Sequence, residues 1–361
     1  MKEFNIADID KNMKIETSID APDVKFYNID SEPFRIYGVW KDKERGIYVR
    51  MPDDVAASVS DGVRELSRVP SGGRVRFVTN SNYVAIHMEY NTYCIKDHMP
   101  SASTSGADMY VGKNYANTLC PGNDIGTLKA DKLMPDLGCG EKLITVNLPL
   151  FSEVKDIYIG LNENATLKRA PDYSIEKPVV FYGSSITHGA CSSRPGMTYP
   201  AILSRRMDFN FLNLGFAGRA KGEREMAEYI ASLDMSAFVL DYDHNAHTLE
   251  HLVATHESFF KVIREAKPDL PILILSMPMY RNVEYVRTRQ KVIEATRNNA
   301  VKAGDKNVWY IPGTNLIREE LGADFSVDNC HPTDLGFFSM ASSIAPVLDV
   351  MLKRYRDNTL L

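Results

Sequence analysis

Short stretches in which apolar and polar positions alternate fill the first half of the chain. In Val84-Ala85-Ile86-His87-Met88 the large apolar side chains fall on every second residue, the period of a half-buried strand. Phe34 to Trp40, Arg74 to Val78, Tyr83 to Tyr90, Leu143 to Leu148 and Ile157 to Leu161 are likewise short and rich in β-branched or aromatic residues, and are expected as strands. Pro70-Ser71-Gly72-Gly73 and Pro121-Gly122-Asn123-Asp124 predict turns, and one helix is expected over Asp53 to Ser67. Many short strands joined by turns predict an antiparallel β-sandwich, jelly-roll-like, over residues 1–174.

After about Ser174 the period lengthens. Apolar runs at Pro178–Tyr182, Asn210–Leu214, Ala237–Asp241, Pro271–Met277 and Asn307–Ile311 predict strands. Amphipathic segments at Thr198–Met207, Glu223–Leu233, Leu249–Ala266, Tyr285–Lys302 and Leu335–Lys353 predict helices between and after them. Regular strand–helix alternation implies a parallel sheet covered by helices on both faces, an α/β domain over residues 175–361. Such sheets bind ligands beyond the carboxyl ends of their strands, so candidate chemistry is sought there.

Composition narrows the function classes. The 361 residues are 44% hydrophobic and 25% charged with a formal net charge of −5, which excludes a disordered or fibrous chain and argues against nucleic acid as a partner. No uninterrupted apolar run approaches the roughly 18 residues that span a bilayer, so no membrane partner is expected. Met1 to Asp10 is polar and charged with no apolar signal core, and Cys94, Cys120, Cys139, Cys191 and Cys330 are odd in number and scattered, with no zinc spacing. Both features point to reduced thiols in a cytoplasmic protein. Oligomeric state is not legible.

Each expected strand end carries a distinctive group. The first runs into Gly183-Ser184-Ser185-Ile186-Thr187, presenting a serine at the sheet edge, either as a nucleophile or as a helix cap. The second ends in Gly215-Phe216-Ala217-Gly218 and the third in Asp241-Tyr242-Asp243-His244-Asn245, whose asparagine amide could donate to a developing oxyanion. Before the last helix comes Asp328-Asn329-Cys330-His331-Pro332. Its three-residue spacing can return the Asp328 carboxylate to Nδ1 of His331 and leave Nε2 free to accept a proton.

In this order, serine, glycine, asparagine and D-x-x-H-P resemble the four blocks of the SGNH (GDSL-type) hydrolase family, over Lys177 to the C-terminus. The resemblance implies a flavodoxin-like three-layer α/β/α domain, a triad of Ser185, His331 and Asp328, and an oxyanion hole from Ser185, Gly218 and Asn245. Two departures stand out: Gly183-Ser184-Ser185 replaces Gly-Asp-Ser, and Asp243-His244-Asn245-Ala246 replaces Gly-x-Asn-Asp. In the first half, Ser105-Gly106-Ala107-Asp108-Met109-Tyr110 is similar to the Gly-x-Asp-Leu-Tyr motif of sandwich modules that precede some SGNH domains. Asp108 and Tyr110 then fit either a wall of the substrate cleft or turn and core positions, and Tyr280, after the fourth strand, is a further candidate substrate contact.

The implied activity is that of a serine esterase cleaving short acyl groups, acetyl above all, from a small-molecule or oligosaccharide ester without metal or organic cofactor. Alternatives are an acyltransferase using the same serine, a non-catalytic carbohydrate-binding protein, and a metal-dependent hydrolase built on His244, His247 and His251 with Asp241 and Asp243.

Overall fold

The computed structural model describes residues 15–122, 128–279 and 283–357. The first half contains two larger antiparallel sheets and a two-stranded one, Trp40–Asp42 paired with Ile47–Val49. One is ordered Val24–Asn28, Val154–Asn162, Val84–Tyr90, Lys129–Met134. The other is ordered Leu167–Arg169, Arg74–Thr79, Lys142–Asn147, Ala107–Val111, Asn114–Leu119, with Arg35–Tyr37 also pairing Arg74–Thr79. Val75, Phe77, Met109, Ile144 and Val146 of the second sheet share one apolar core with Val84, Ile86, Met88, Ile157 and Ile159 of the first, which makes a sandwich.

Two local expectations change. The strand predicted over Phe34 to Trp40 breaks at Gly38, whose φ of +75° only glycine adopts freely, into Arg35–Tyr37 and Trp40–Asp42. The helix predicted over Asp53 to Ser67 is two helices, Asp53–Val59 and Asp61–Ser67. Between them Ser60 is extended, and its hydroxyl caps the second helix at the Val63 N–H. Ala56 and Val63 of this segment, with Met51 just before it, lie in the core of the second half rather than inside the sandwich.

The second half consists of β1 (Ile175–Gly183), α1 (Ser185–His188), α2 (Tyr199–Met207), β2 (Phe209–Gly215), α3 (Arg224–Ser232), β3 (Ala237–Asp241), α4 (Leu249–Ala266), β4 (Ile272–Leu275), α5 (Glu284–Lys302), β5 (Val308–Ile311) and α6 (Asp334–Asp357). The five strands are all parallel in the order 2-1-3-4-5, the doubly wound arrangement, with its switch point between β1 and β3. Separate apolar cores cover the two faces of the sheet. By length and composition α6 could cross a membrane, but Phe337, Met340, Ala341, Ile344 and Leu348 bury one face in the core, so it is a core helix here.

Candidate active site

Register places the candidate loops at one level. Gly183, last in β1, pairs with Gly215 at the end of β2 and with Asp241 at the end of β3. A Cβ on Gly183 would collide with Thr187 Oγ1 and the Asp241 carbonyl, and one on Gly215 with the His188 N–H, so the closeness of the three strand ends depends on glycine. Ser185, Gly218 and Asn245 follow within a few residues of that shared level.

The chain turns sharply after β1. Ser184 accepts the Ile186 N–H and so takes the capping role, which leaves Ser185 as the first helical residue, half-buried. Its Oγ lies 2.8 Å from Nε2 of His331. Nδ1 of His331 lies 2.7 Å from Oδ2 of Asp328. Oδ1 of Asp328 accepts the N–H groups of His331 at 2.7 Å and Cys330 at 3.0 Å, while the Val327 N–H donates to the His331 carbonyl at 2.9 Å. The D-x-x-H segment therefore forms a closed turn in which the aspartate fixes both backbone and ring. Partial burial opposes charge on Asp328, but the His331 N–H, the His331 ring and the Cys330 N–H outweigh it and hold its pKa below the ordinary carboxylate value. It is thus ionised at neutral pH and positioned to stabilise an imidazolium.

Gly218 is exposed, with φ of +69° and empty space where a Cβ would stand. Its turn is closed by the Phe216 carbonyl, which accepts the N–H groups of Arg219 at 2.9 Å and Ala220 at 3.1 Å. The same oxygen accepts the Asn245 side-chain amide at 3.1 Å, so one amide proton docks the two loops and the other stays free. Asn245 is 7% exposed and sits in the single turn Asp243–Asn245.

A buried ion pair, not expected from sequence, holds that turn. Asp243 and Arg289 of α5 are each 1% exposed, with Nε 2.8 Å from Oδ1. Arg289 also donates to the carbonyls of Asp243 at 2.6 Å and Ala246 at 3.0 Å, and Asp243 Oδ2 accepts the Met277 N–H at 2.9 Å. Behind the Ser185 turn, Asp241 accepts from Thr187 Oγ1 at 2.9 Å and the Tyr199 hydroxyl at 3.0 Å, and burial pushes its carboxyl up to about 7.

Two of the three histidines considered as metal ligands have other partners, and His247 is exposed. His251 Nε2 lies 2.8 Å from the Lys221 carbonyl, and burial drives His244 down to about 4, with its Nδ1 3.6 Å from Cys330 Sγ. Among the described residues, the ligand-type atoms gathered within 4.8 Å are those of Asp328, Cys330 and His331, which belong to the serine site.

The sandwich buttresses this site. Arg50 is fully buried and donates to the carbonyls of Asn213 and Gly215, each at 2.9 Å, and of Leu66 at 2.6 Å. Its guanidinium also lies over the Phe216 ring. His188 bonds the Leu150 carbonyl at 2.6 Å and stacks on Phe151, and burial holds its pKa well below the usual histidine value, so it is neutral. Asp108, a candidate substrate contact by sequence, is fully buried: it accepts from Asn147 at 2.7 Å and the Gly196 N–H at 2.9 Å and pairs with Arg194. Tyr110, 2% exposed, lies against Gly196 and under Arg205. Both residues dock the sandwich onto the turn before α2 instead of lining the site. Tyr280 lies outside the described residues. Neither Arg50 nor Arg289 carries a sequence signal; their roles arise from contacts between distant segments.

Comparison with known proteins agrees with this layout. Residues 176–349 match the family model of the GDSL-like lipase/acylhydrolases, and residues 24–167 match that of GxDLY, the N-terminus of SGNH-hydrolase-type esterases. Among similar solved structures is a GDSL-like lipase from Bacteroides ovatus, 27% identical over 91% of this chain and 98% of that one, with a TM-score of 0.80. A salicylyl-acyltransferase from a tetracycline biosynthetic pathway is 21% identical over 92% and 98%, with a TM-score of 0.74. An acetyl xylan esterase from the rumen bacterium Butyrivibrio proteoclasticus is 13% identical over 91% and 99%, with a TM-score of 0.59. None of the curated proteins matches the sequence. With both halves matched in the order those esterases have, residues 176–349 belong to the GDSL-like lipase/acylhydrolase family and the chain is a two-domain ester hydrolase of the SGNH type.

Proposed function

We propose that the protein is a serine esterase that removes short acyl groups, acetyl above all, from a carbohydrate. The observation that carries this reading is the continuous chain from Ser185 Oγ through His331 to Asp328, with contacts of 2.8 and 2.7 Å. His331 Nε2 takes the Ser185 proton as Oγ attacks the ester carbonyl, and Asp328 stabilises the imidazolium. The tetrahedral oxyanion is received by the N–H groups of Ser185 and Gly218 and the free amide proton of Asn245. His331 then protonates the departing alcohol, leaving an acyl-serine. His331 takes a proton from water as the water oxygen attacks the acyl carbon, and then gives that proton to Ser185 Oγ as the acid leaves.

Substrate class rests on the shape of the site and on related folds. Asp328 is exposed, and Ser185 and His331 are half-buried, so the triad lies at an open edge. An open edge suits a small acyl group on a bulky polar alcohol, whereas a long acyl chain needs an apolar tunnel. Carbohydrate esterases of this fold, the acetyl xylan esterase among them, support the sugar portion. The test is hydrolysis of p-nitrophenyl esters of increasing length and of acetylated xylo-oligosaccharides, wild type against Ser185→Ala. Acetate esters should be cleaved fastest; preference for long acyl chains, or no release of acetate from the oligosaccharides, overturns the substrate assignment.

A further inference from the structure

A cavity of about 500 Å³ lies between the two domains at the end of the parallel sheet remote from the triad. Ser174 and Asp208 line it and immediately precede β1 and β2, whereas Ser185 and Gly218 follow the opposite ends of those strands. Arg74 and Arg76 enter it from the same face of the strand Arg74–Thr79. They are only 2% and 3% exposed, and among the described residues neither has a carboxylate partner. Arg74 at least donates to the Tyr173 hydroxyl at 3.2 Å, Asn210 Oδ1 at 2.7 Å and the Phe211 carbonyl at 3.1 Å.

Arg76 does not. Its Nε and Nη1 are buried without a hydrogen-bond partner among the described residues, and its guanidinium rests 3.9 Å over the Tyr173 ring. Lys113 and Arg205 add two further cations to the walls. The two acids that line the cavity are already committed: Asp172 to Arg35 at 2.9 Å and the Tyr37 hydroxyl at 3.2 Å, and Asp208 to Ser174. Buried charges persist in proteins when they are paired or coordinated, and two adjacent guanidinium groups without a counter-charge repel one another. The planar donor fork of arginine matches carboxylate and phosphate oxygens.

We propose that this cavity is a binding site for a small molecule bearing an oxyanion, carboxylate or phosphate, on a body of monosaccharide size, with Arg76 as its principal ligand. The site is separate from the esterase centre, and its occupant bridges sandwich and hydrolase domains. A ligand that binds only the folded form raises thermal stability: at a hundredfold excess over Kd the melting temperature should rise by about 3–4 °C for a chain of this length.

The test is calorimetric titration and thermal unfolding of the full chain with inorganic phosphate, glucose 6-phosphate, glucuronate and neutral glucose, at ionic strength held constant with sodium chloride. The expected result is saturable binding of an anionic sugar, tighter than inorganic phosphate and absent for glucose, with glucuronate against glucose 6-phosphate deciding between carboxylate and phosphate. Arg76→Met should weaken it at least tenfold. Lys113→Gln, on the exposed rim, should weaken it severalfold without harm to the fold, and carries the test if Arg76→Met does not fold. No saturable binding by any of the three anions, or equal affinity in wild type and both variants, overturns the proposal.

Discussion

Removing the Arg289 guanidinium tests whether the loop carrying Asn245, the proposed oxyanion donor, is held by a buried ion pair rather than by its own backbone. Arg289→Met keeps the apolar stem of the side chain but leaves Asp243, 1% exposed, without its ion-pair partner, takes the Arg289 donor from the Ala246 carbonyl, and leaves the Asp243 carbonyl with the Ala246 N–H alone. Breaking a buried pair from one side costs about 3–5 kcal/mol, because the remaining charge stays desolvated. Spread over 361 residues at about 2.1 cal/mol/K per residue, a loss of about 4 kcal/mol lowers the melting temperature by roughly 5 °C. The catalytic effect is separate: displacement of Asn245 removes one oxyanion donor, worth about 10²–10³ in kcat with KM nearly unchanged. Arg289→Met combined with Asp243→Leu removes both charges and should restore much of the stability without restoring kcat. Calorimetry and p-nitrophenyl acetate kinetics read the two effects. A single variant that melts within 1 °C of wild type and keeps kcat within about twofold refutes the reasoning.

Arg50→Met orphans the buried carbonyls of Asn213, Gly215 and Leu66, each worth about 1–3 kcal/mol, and should cost about 3–5 kcal/mol in urea unfolding, with a fall in kcat; a loss below about 1 kcal/mol contradicts the buttressing role. Asp108→Ala should destabilise by about 2–4 kcal/mol yet leave KM for a small ester unchanged, since Asp108 is sealed between the domains; a raised KM with intact stability would restore it as a substrate contact. Asp241 has a folded pKa of about 7 against the ordinary 3.8, so the stability linked to it is whole below about pH 4 and lost as pH rises toward 7. Asp241→Asn should therefore gain on wild type over that interval by a few kcal/mol, at about 1.4 kcal/mol per pKa unit, in pH-dependent unfolding; a difference that stays flat with pH removes the assignment.

The hydrolase half was the more legible, for a physical reason. Strands buried on both faces read as apolar runs, so Ala237–Asp241 appears in the structure with the bounds read from sequence and the remaining strands differ by a few residues at their ends, while the amphipathic helix Leu249–Ala266 also keeps its expected bounds. In the sandwich, Asn114–Leu119 and Lys129–Met134 are largely polar because much of each strand faces solvent, and their alternation is too weak to read. The break at Ser60 was hidden because the apolar positions on either side keep a helical spacing across it. At the site, the spacing from Asp328 to His331 is local and its turn could be drawn from sequence. The support from Arg50, Asp243 and Arg289 could not, since each joins segments far apart in the chain. Asp108 shows the same limit: its motif was visible, but its burial between domains depends on the turn around Gly196 that meets it.

The most direct measurement is rapid quench of the enzyme with p-nitrophenyl acetate, followed by mass spectrometry of the whole chain and of its peptides. One acetyl group should appear on the peptide holding Ser185, in step with a burst of p-nitrophenol, and both should vanish in Ser185→Ala. Acetyl found on another residue, or turnover that persists near the wild-type rate in Ser185→Ala, contradicts the account.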